Sequence, residues 1–288
     1  MGRFLILGKE ERQKYLFQML CARGQTVTYC DSWLDGGYDA IMLPPAKTAE
    51  YLEHIADKLQ AGEYVFGCNF PPEMAESKRR QGVFFIDYMK EPGAAYANAC
   101  ATAEGALAEA VLSGKEVLCG KKILVMGYGR CGQVLAQRLH ALGGNVTVYE
   151  KDLEKLEIAK VFGLGAVMAW EEEDDTCDTG AVTVSNCSLE TKAGEKQPGE
   201  FWGQFGYIFN TIPDLVLSAQ RLGYVRRDAV LIDIASSPGG LDYAFCAQNG
   251  LNAKLCSGLP AKYAPKSAAE LLFHIIESYL NLSERGVV

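Results

Sequence analysis

Lys121-Lys122-Ile123-Leu124-Val125-Met126-Gly127-Tyr128-Gly129-Arg130-Cys131-Gly132 is the stretch on which the reading of this chain turns. The apolar run Ile123 to Met126 reads as a buried strand. It enters a Gly-x-Gly-x-x-Gly turn, and an amphipathic helix over 133–142 leaves it toward Gly143-Gly144. A second strand follows over 145–149 (NVTVY) and ends at Glu150, 23 positions after Gly127. Glycine clusters are common, but a strand before, a helix after and an acid at the end of the next strand together specify a dinucleotide-binding βαβ unit. Gly127 allows the tight turn, Gly129 opens the backbone to a pyrophosphate, and Gly132 lets the helix approach the strand. Free N–H groups at Arg130, Cys131 and Gly132 face the phosphates.

Working outward, the C-terminal half continues as alternating strand and helix, with strands expected at 207–210, 229–233 and 253–256 and a last helix over 267–282. The N-terminal half has the same rhythm, with strands at 3–7, 26–30, 39–43, 64–67 and 83–86. The Ala-rich segment 99–113, preceded by Asn98 as an N-cap, reads as a connecting helix. The expected fold class is therefore α/β with two domains. Residues 1–97 form a flavodoxin-like domain on which the C-terminal helix (267–288) packs back, 98–118 connects, and 119–266 form a Rossmann domain. The charged stretch 171–206, opening with Glu171-Glu172-Glu173-Asp174-Asp175, reads as a solvated excursion; only Trp202 and Phe205 argue for a lid.

Composition narrows the function classes. The chain has 288 residues, 49% apolar and 22% charged, with 28 basic and 36 acidic side chains and a net charge of −8. That acidity argues against nucleic acid or an anionic membrane as the main partner. No apolar run is long enough to span a bilayer. Met1 to Gly8 reads as a strand rather than a signal segment, and the ten cysteines, none in a C-x-x-C, read as reduced packing residues of a cytoplasmic protein. Three histidines without ligand spacing speak against a metal.

For the cofactor, Glu150 favours NAD because a carboxylate repels a 2′-phosphate, while Lys151 beside it tolerates NADP. Cys131 sits at the helix start, where a thiol pKa can fall, although a small packing residue is the simpler reading. Segments directly after strands line the ligand edge of a doubly wound sheet, which brings in Thr211-Ile212-Pro213, Ala235-Ser236-Ser237 and Gly258-Leu259-Pro260.

The chain also resembles a known family, the A-type subunit of dipicolinate synthase. The resemblance rests on Gly8-x-x-x-Arg12-Gln13, Asn98-x-x-x-Thr102-x-Glu104-Gly105, Asn210-Thr211-Ile212-Pro213, Asp233-Ile234-Ala235-Ser236-Ser237-Pro238-Gly239-Gly240-x-Asp242, Gly258-Leu259-Pro260 and Ala264-Pro265-Lys266. It implies an NAD- or NADP-dependent oxidation of a dihydrodipicolinate-type ring in the mother-cell cytoplasm of a spore former. It also implies as partner the second, flavoprotein-like B-type subunit of dipicolinate synthase; dehydrogenases of this plan are commonly homo-oligomers. The chain departs from the family pattern at Ser237, where Arg is frequent, and in the length of 171–206. A dicarboxylate substrate calls for Arg12, Lys262 and Lys266 as cations, with Ser236, Ser237, Asn98 and Thr102 as further contacts. Glu104 and Lys266 are the candidate catalytic groups. The alternatives are a D-2-hydroxyacid or amino-acid dehydrogenase and a non-catalytic nucleotide-binding regulator. The first is weakened by Ser237 at the likely Arg position and by the lack of a His in 257–268.

Overall fold

The computed structural model describes residues 2–169, 182–185, 194–196 and 198–280, and for 182–185, 194–196 and 198 the backbone alone. The chain divides into two units, Met1–Ala101 with Pro260–Val288, and Thr102–Leu259.

In the first unit five parallel strands stand in the order β2-β1-β3-β4-β5: β1 Arg3–Leu7, β2 Thr26–Cys30, β3 Ala40–Met42, β4 Tyr64–Gly67 and β5 Phe84–Asp87. This is the flavodoxin-like order, whose switch point lies between β1 and β3. On one face α1 (Glu11–Ala22) lies beside the C-terminal helix Pro265–Leu280, burying Leu16, Leu20, Leu272 and Ile276 with Phe66. On the other, α2 (Thr48–Ile55) and α3 (Pro72–Arg80) cover Leu5, Ile41, Val65 and Phe85. Apolar residues on both faces of each strand are what a sheet covered on both sides requires.

Helix α4 runs over Ala94–Ser113, so it begins before Asn98, which stands inside the helix and does not cap it. The sequence 94–97 (AAYA) contains nothing that stops a helix, and good helix formers extend it back toward Gly93.

The second unit carries β6 Lys122–Met126, β7 Asn145–Glu150, β8 Gly165–Met168, β9 Val182–Ser185, β10 Gly194–Lys196, β11 Tyr207–Asn210, β12 Val230–Asp233 and β13 Asn252–Leu255. Their order is β10-β9-β8-β7-β6-β11-β12-β13. The six strands β8, β7, β6, β11, β12 and β13 are parallel in the Rossmann 3-2-1-4-5-6 arrangement, and β9 and β10 extend its edge antiparallel. Helices α5 (Arg130–Ala141), α6 (Leu153–Val161), α8 (Ala219–Tyr224) and α9 (Tyr243–Asn249) supply the crossovers.

Between β10 and β11 the short helix α7 (Pro198–Trp202) corrects the reading of 171–206 as a solvated excursion. Phe201, Trp202 and Phe205 are buried in the core of the second unit with Tyr149 and Leu231. Phe201 and Trp202 meet edge to face, and the Arg221 guanidinium lies 5.4 Å from the Trp202 ring. The charge run on which that expectation rests, residues 171–175, lies outside the described residues. The lid argued from Trp202 and Phe205 has no basis, because both rings are core. Trp202→Ala should therefore cost about 3–5 kcal/mol of stability, read by chemical denaturation; a solvated position would lose less than about 0.5 kcal/mol.

Candidate dinucleotide site

The site grows from the switch point between β6 and β11. Gly127 follows β6 with φ +86°, a conformation that favours glycine. A Cβ at Gly127 would stand 2.4 Å from Thr211 Oγ1, and one at Gly132 would stand 2.1 Å from the Gly127 carbonyl oxygen. At Gly132 no other residue fits without moving the backbone, and at Gly127 the positive φ and the Thr211 and Ile212 side chains disfavour one. A Cβ at Gly129, by contrast, would meet nothing within 4 Å. Gly129 and Arg130 are exposed at the start of α5, so the first turn of a 12-residue helix presents its N–H groups to open space.

Glu150, at the end of β7, is 7% exposed. Its Oε2 accepts the Tyr128 N–H at 2.8 Å, and its Oε1 accepts those of Lys151 at 2.9 Å and Asp152 at 3.3 Å. Lys155 Nζ stands 3.6 Å from Oε2. One carboxylate thus ties the glycine turn to the turn after β7. Of its roughly four lone-pair positions about one is left for an outside donor. These residues fit the diphosphate and ribose of a nicotinamide dinucleotide: an open glycine, free helix-end donors and a fixed acid. Cys131 is partly buried, and burial raises its thiol pKa rather than lowering it, which agrees with a packing role.

Two strands away a second polar centre shapes the same edge of the sheet. Asp233, fully buried at the end of β12, accepts four hydrogen bonds. Asn210 Nδ2 and Ala235 N–H reach Oδ1 at 3.0 Å each, and Gly240 N–H and the Tyr243 hydroxyl reach Oδ2 at 2.7 Å each. Asn210 also binds the Ile212 backbone at both ends of its amide. Burial and the Asp233 charge push the Tyr243 hydroxyl pKa far up, so it remains a donor. A Cβ at Gly239 would meet Asp233 Oδ2 at 2.6 Å, and one at Gly240 would meet Asn210 Nδ2 at 2.5 Å. The glycine pair is needed because the loop wraps the carboxylate. Sequence reasoning noted Asn210, Asp233 and Gly240 only as marks of resemblance and missed their network. The signal was an Asp closing an apolar strand just before a Gly-Gly pair.

The remaining expected residues differ in how far they are exposed and engaged. Thr211 donates its hydroxyl to the Met126 carbonyl at 2.9 Å, so it packs the glycine turn, and Ile212 lies against Gly127. Ala235, Leu259 and Pro260 are buried, whereas Ser236, Ser237, Gly258 and Lys151 are exposed, as is Pro213. Lys262 is exposed with its ammonium 4.9 Å from the Tyr263 ring. Lys266 stands on the first turn of the last helix, 4.0 Å from Glu270. Thr102 is buried and Asn98 half-buried on α4. Arg12 is 5% exposed; its Nη2 donates to Glu10 at 2.6 Å, and its Nε meets no acceptor among the described residues.

Glu104 does not fit the acid/base role expected of it. Its carboxylate is exposed and pairs with Arg138 at 3.3 Å. Arg138 lies eight residues along α5, about 12 Å from the end that faces the glycine turn. Among the described residues no cluster of His, Cys, Asp and Glu could hold a metal, and no helix is long and apolar enough to cross a membrane.

The chain is similar to known proteins. The TrkA-N domain family matches residues 123–176, which contain the glycine turn and Glu150. The A-type subunit of dipicolinate synthase from Bacillus subtilis is 26% identical over 206 residues. This chain resembles that subunit in sequence and in fold. The alignment takes in 72% of this chain and 59% of the relative, so the chain spans less than two thirds of the relative's length. The crystal structure of the same subunit type from Bacillus halodurans matches with a TM-score of 0.75 at 22% identity, covering 97% of both chains. D-lactate dehydrogenase from Escherichia coli matches with a TM-score of 0.63 at 12% identity, over 100% of this chain and 98% of that one. A dinucleotide-binding α/β protein related in fold to dehydrogenases is what these likenesses share.

Two substitutions check the site's frame. Asp233→Asn sets an amide N–H against buried donors and should cost about 2 kcal/mol or more in denaturation. Gly132→Ala should abolish dinucleotide binding in equilibrium dialysis, because its methyl enters the Gly127 carbonyl.

Proposed function

We propose that this chain is a nicotinamide-dinucleotide-dependent oxidoreductase that converts a dihydrodipicolinate-type ring to dipicolinate. The observation that supports it most is the switch-point cradle, with Gly129 open and Glu150 fixed, in a chain similar to the A-type dipicolinate synthase subunit.

NAD is the cofactor of this reading. Glu150, held by three N–H groups, sets a carboxylate where an adenosine 2′-phosphate would otherwise stand. The bound nicotinamide supplies the hydride acceptor. The chain's own residues bind and orient. Arg130 and the α5 amides hold the diphosphate, and Glu150 takes one ribose hydroxyl. The exposed donors Ser236 and Ser237 with Arg12, Lys262 and Lys266 hold the substrate carboxylates, and Asn98 and Thr102 add contacts. Aromatisation of the ring drives the oxidation, so clamping and positioning suffice and a strong general base is dispensable. Glu104 has no part in it. A flavoprotein-like partner of the B type, a homo-oligomeric state and a place in the mother-cell cytoplasm complete the proposal.

Three measurements test it. Freshly generated dihydrodipicolinate with NAD should give dipicolinate ultraviolet absorbance together with the NADH band. Bound nucleotide without any such change would overturn the reaction assigned here. Glu150→Ser should weaken NAD binding by about tenfold and shift the preference toward NADP, measured by titration of nucleotide fluorescence. Lys266→Gln should raise KM for the dicarboxylate about tenfold or more, with nucleotide affinity unchanged.

A further inference from the structure

The connection from β2 to β3 in the first unit is unusually bare. A parallel crossover normally takes a dozen or more residues and a helix. Here residues 31–39 make the crossing with no helix at all. The Trp33 and Tyr38 rings of this loop, which meet edge to face at 5.6 Å, pack beside β2 in the same cluster as Leu52 and Ile55 of α2. The space a helix would fill is a cavity of about 330 Å³ between this loop and α2, at the carboxyl end of β1 and β2. That volume is at the small end of ligand pockets, and the carboxyl edge is where doubly wound sheets take ligands.

Its walls have a definite chemistry. Leu7 and Ile55, both buried, form an apolar floor, and Trp33 and Tyr51 add aromatic surface. The carboxylates that line it are already satisfied. Asp31 takes Lys9 at 2.6 Å and the Tyr51 hydroxyl at 2.8 Å, and Glu50 takes Lys47 at 3.5 Å. The Trp33 indole N–H is spent on Asp35 at 3.0 Å. The basic side chains are not. Lys58, 5.9 Å from the Trp33 ring, and His54 meet no carboxylate within ion-pair distance among the described residues.

We infer that this cavity binds a small planar aromatic carboxylate, its ring against Trp33 and Tyr51 and its charge toward Lys58 and His54. The site stands on the first unit alone, requires no nucleotide, and does not depend on the oxidoreductase reading.

The experiment titrates the full chain, free of nucleotide, with isophthalate by calorimetry and follows tryptophan fluorescence in parallel. Saturable binding with quenching is expected. Trp33→Phe should remove the quenching, since the ring reporting it is gone. Lys58→Gln with His54→Gln should weaken binding about tenfold, with an unchanged circular dichroism spectrum. Cyclohexane-1,3-dicarboxylate, equal in charge but not planar, should bind about fivefold more weakly. Absent saturation overturns the proposal. So does quenching that persists in Trp33→Phe, or an affinity that the double variant leaves within about twofold of the original.

Discussion

The backbone of Gly132 runs so close to the carbonyl of Gly127 that no side-chain atom fits between them. This approach seats α5 directly on the end of β6 and aims its first turn outward. Thr211, arriving from β11, closes the other side of the same turn by donating to the Met126 carbonyl. Three chain segments therefore converge at the point where the strand order reverses. A diphosphate could approach the backbone of the turn closely there, since side chains have been excluded at Gly127 and Gly132.

Polar groups elsewhere along that edge are arranged around the same constraint. Glu150 fixes the turn after β7 to the turn after β6, and Asp233 draws Ala235, Gly240 and Tyr243 around itself. A buried carboxylate is tolerable only when hydrogen-bonded: Asp233 takes four N–H and O–H donors, and Glu150 takes three N–H donors with Lys155 nearby. Their effect is to fix loop shape. The 235–240 loop can then leave Ser236 and Ser237 exposed without drifting, because the glycines behind them are anchored.

Much of the fold was legible because its signals are periodic and local. Ile123 to Met126 with the glycines, and Phe4 to Leu7, are short apolar runs bounded by turn residues, and they are strands. What failed were signals that depend on context. Asn98 resembles an N-cap in isolation, yet the preceding alanines continue the helix and make the cap irrelevant. The acidic run after residue 170 coloured the reading of everything up to 206, although Phe201, Trp202 and Phe205 had the spacing and size of core residues. Burial by a neighbouring element is not written in the residue itself.

The candidate site was legible where backbone chemistry dictates residue type and less so where side-chain pairing does. Glycine at 127 and 132 has one explanation, so sequence and structure agree on it. Glu104, an acid on a helix, had several. Only the position of Arg138 decides among them, and that is a fact of α5 lying beside α4. The same logic sorts the remaining groups. A hydroxyl or carboxylate already engaged, such as Thr211 or Asp233, shapes the site and cannot also bind a ligand without breaking what it holds. In the second unit the fold leaves Arg130, Ser236 and Ser237 exposed, and in the first Lys262 and Lys266, with the buried Arg12 keeping an Nε that meets no acceptor among the described residues. Four of these are cations, and in a chain whose net charge is −8 an exposed positive group is a local exception suited to an anionic ligand.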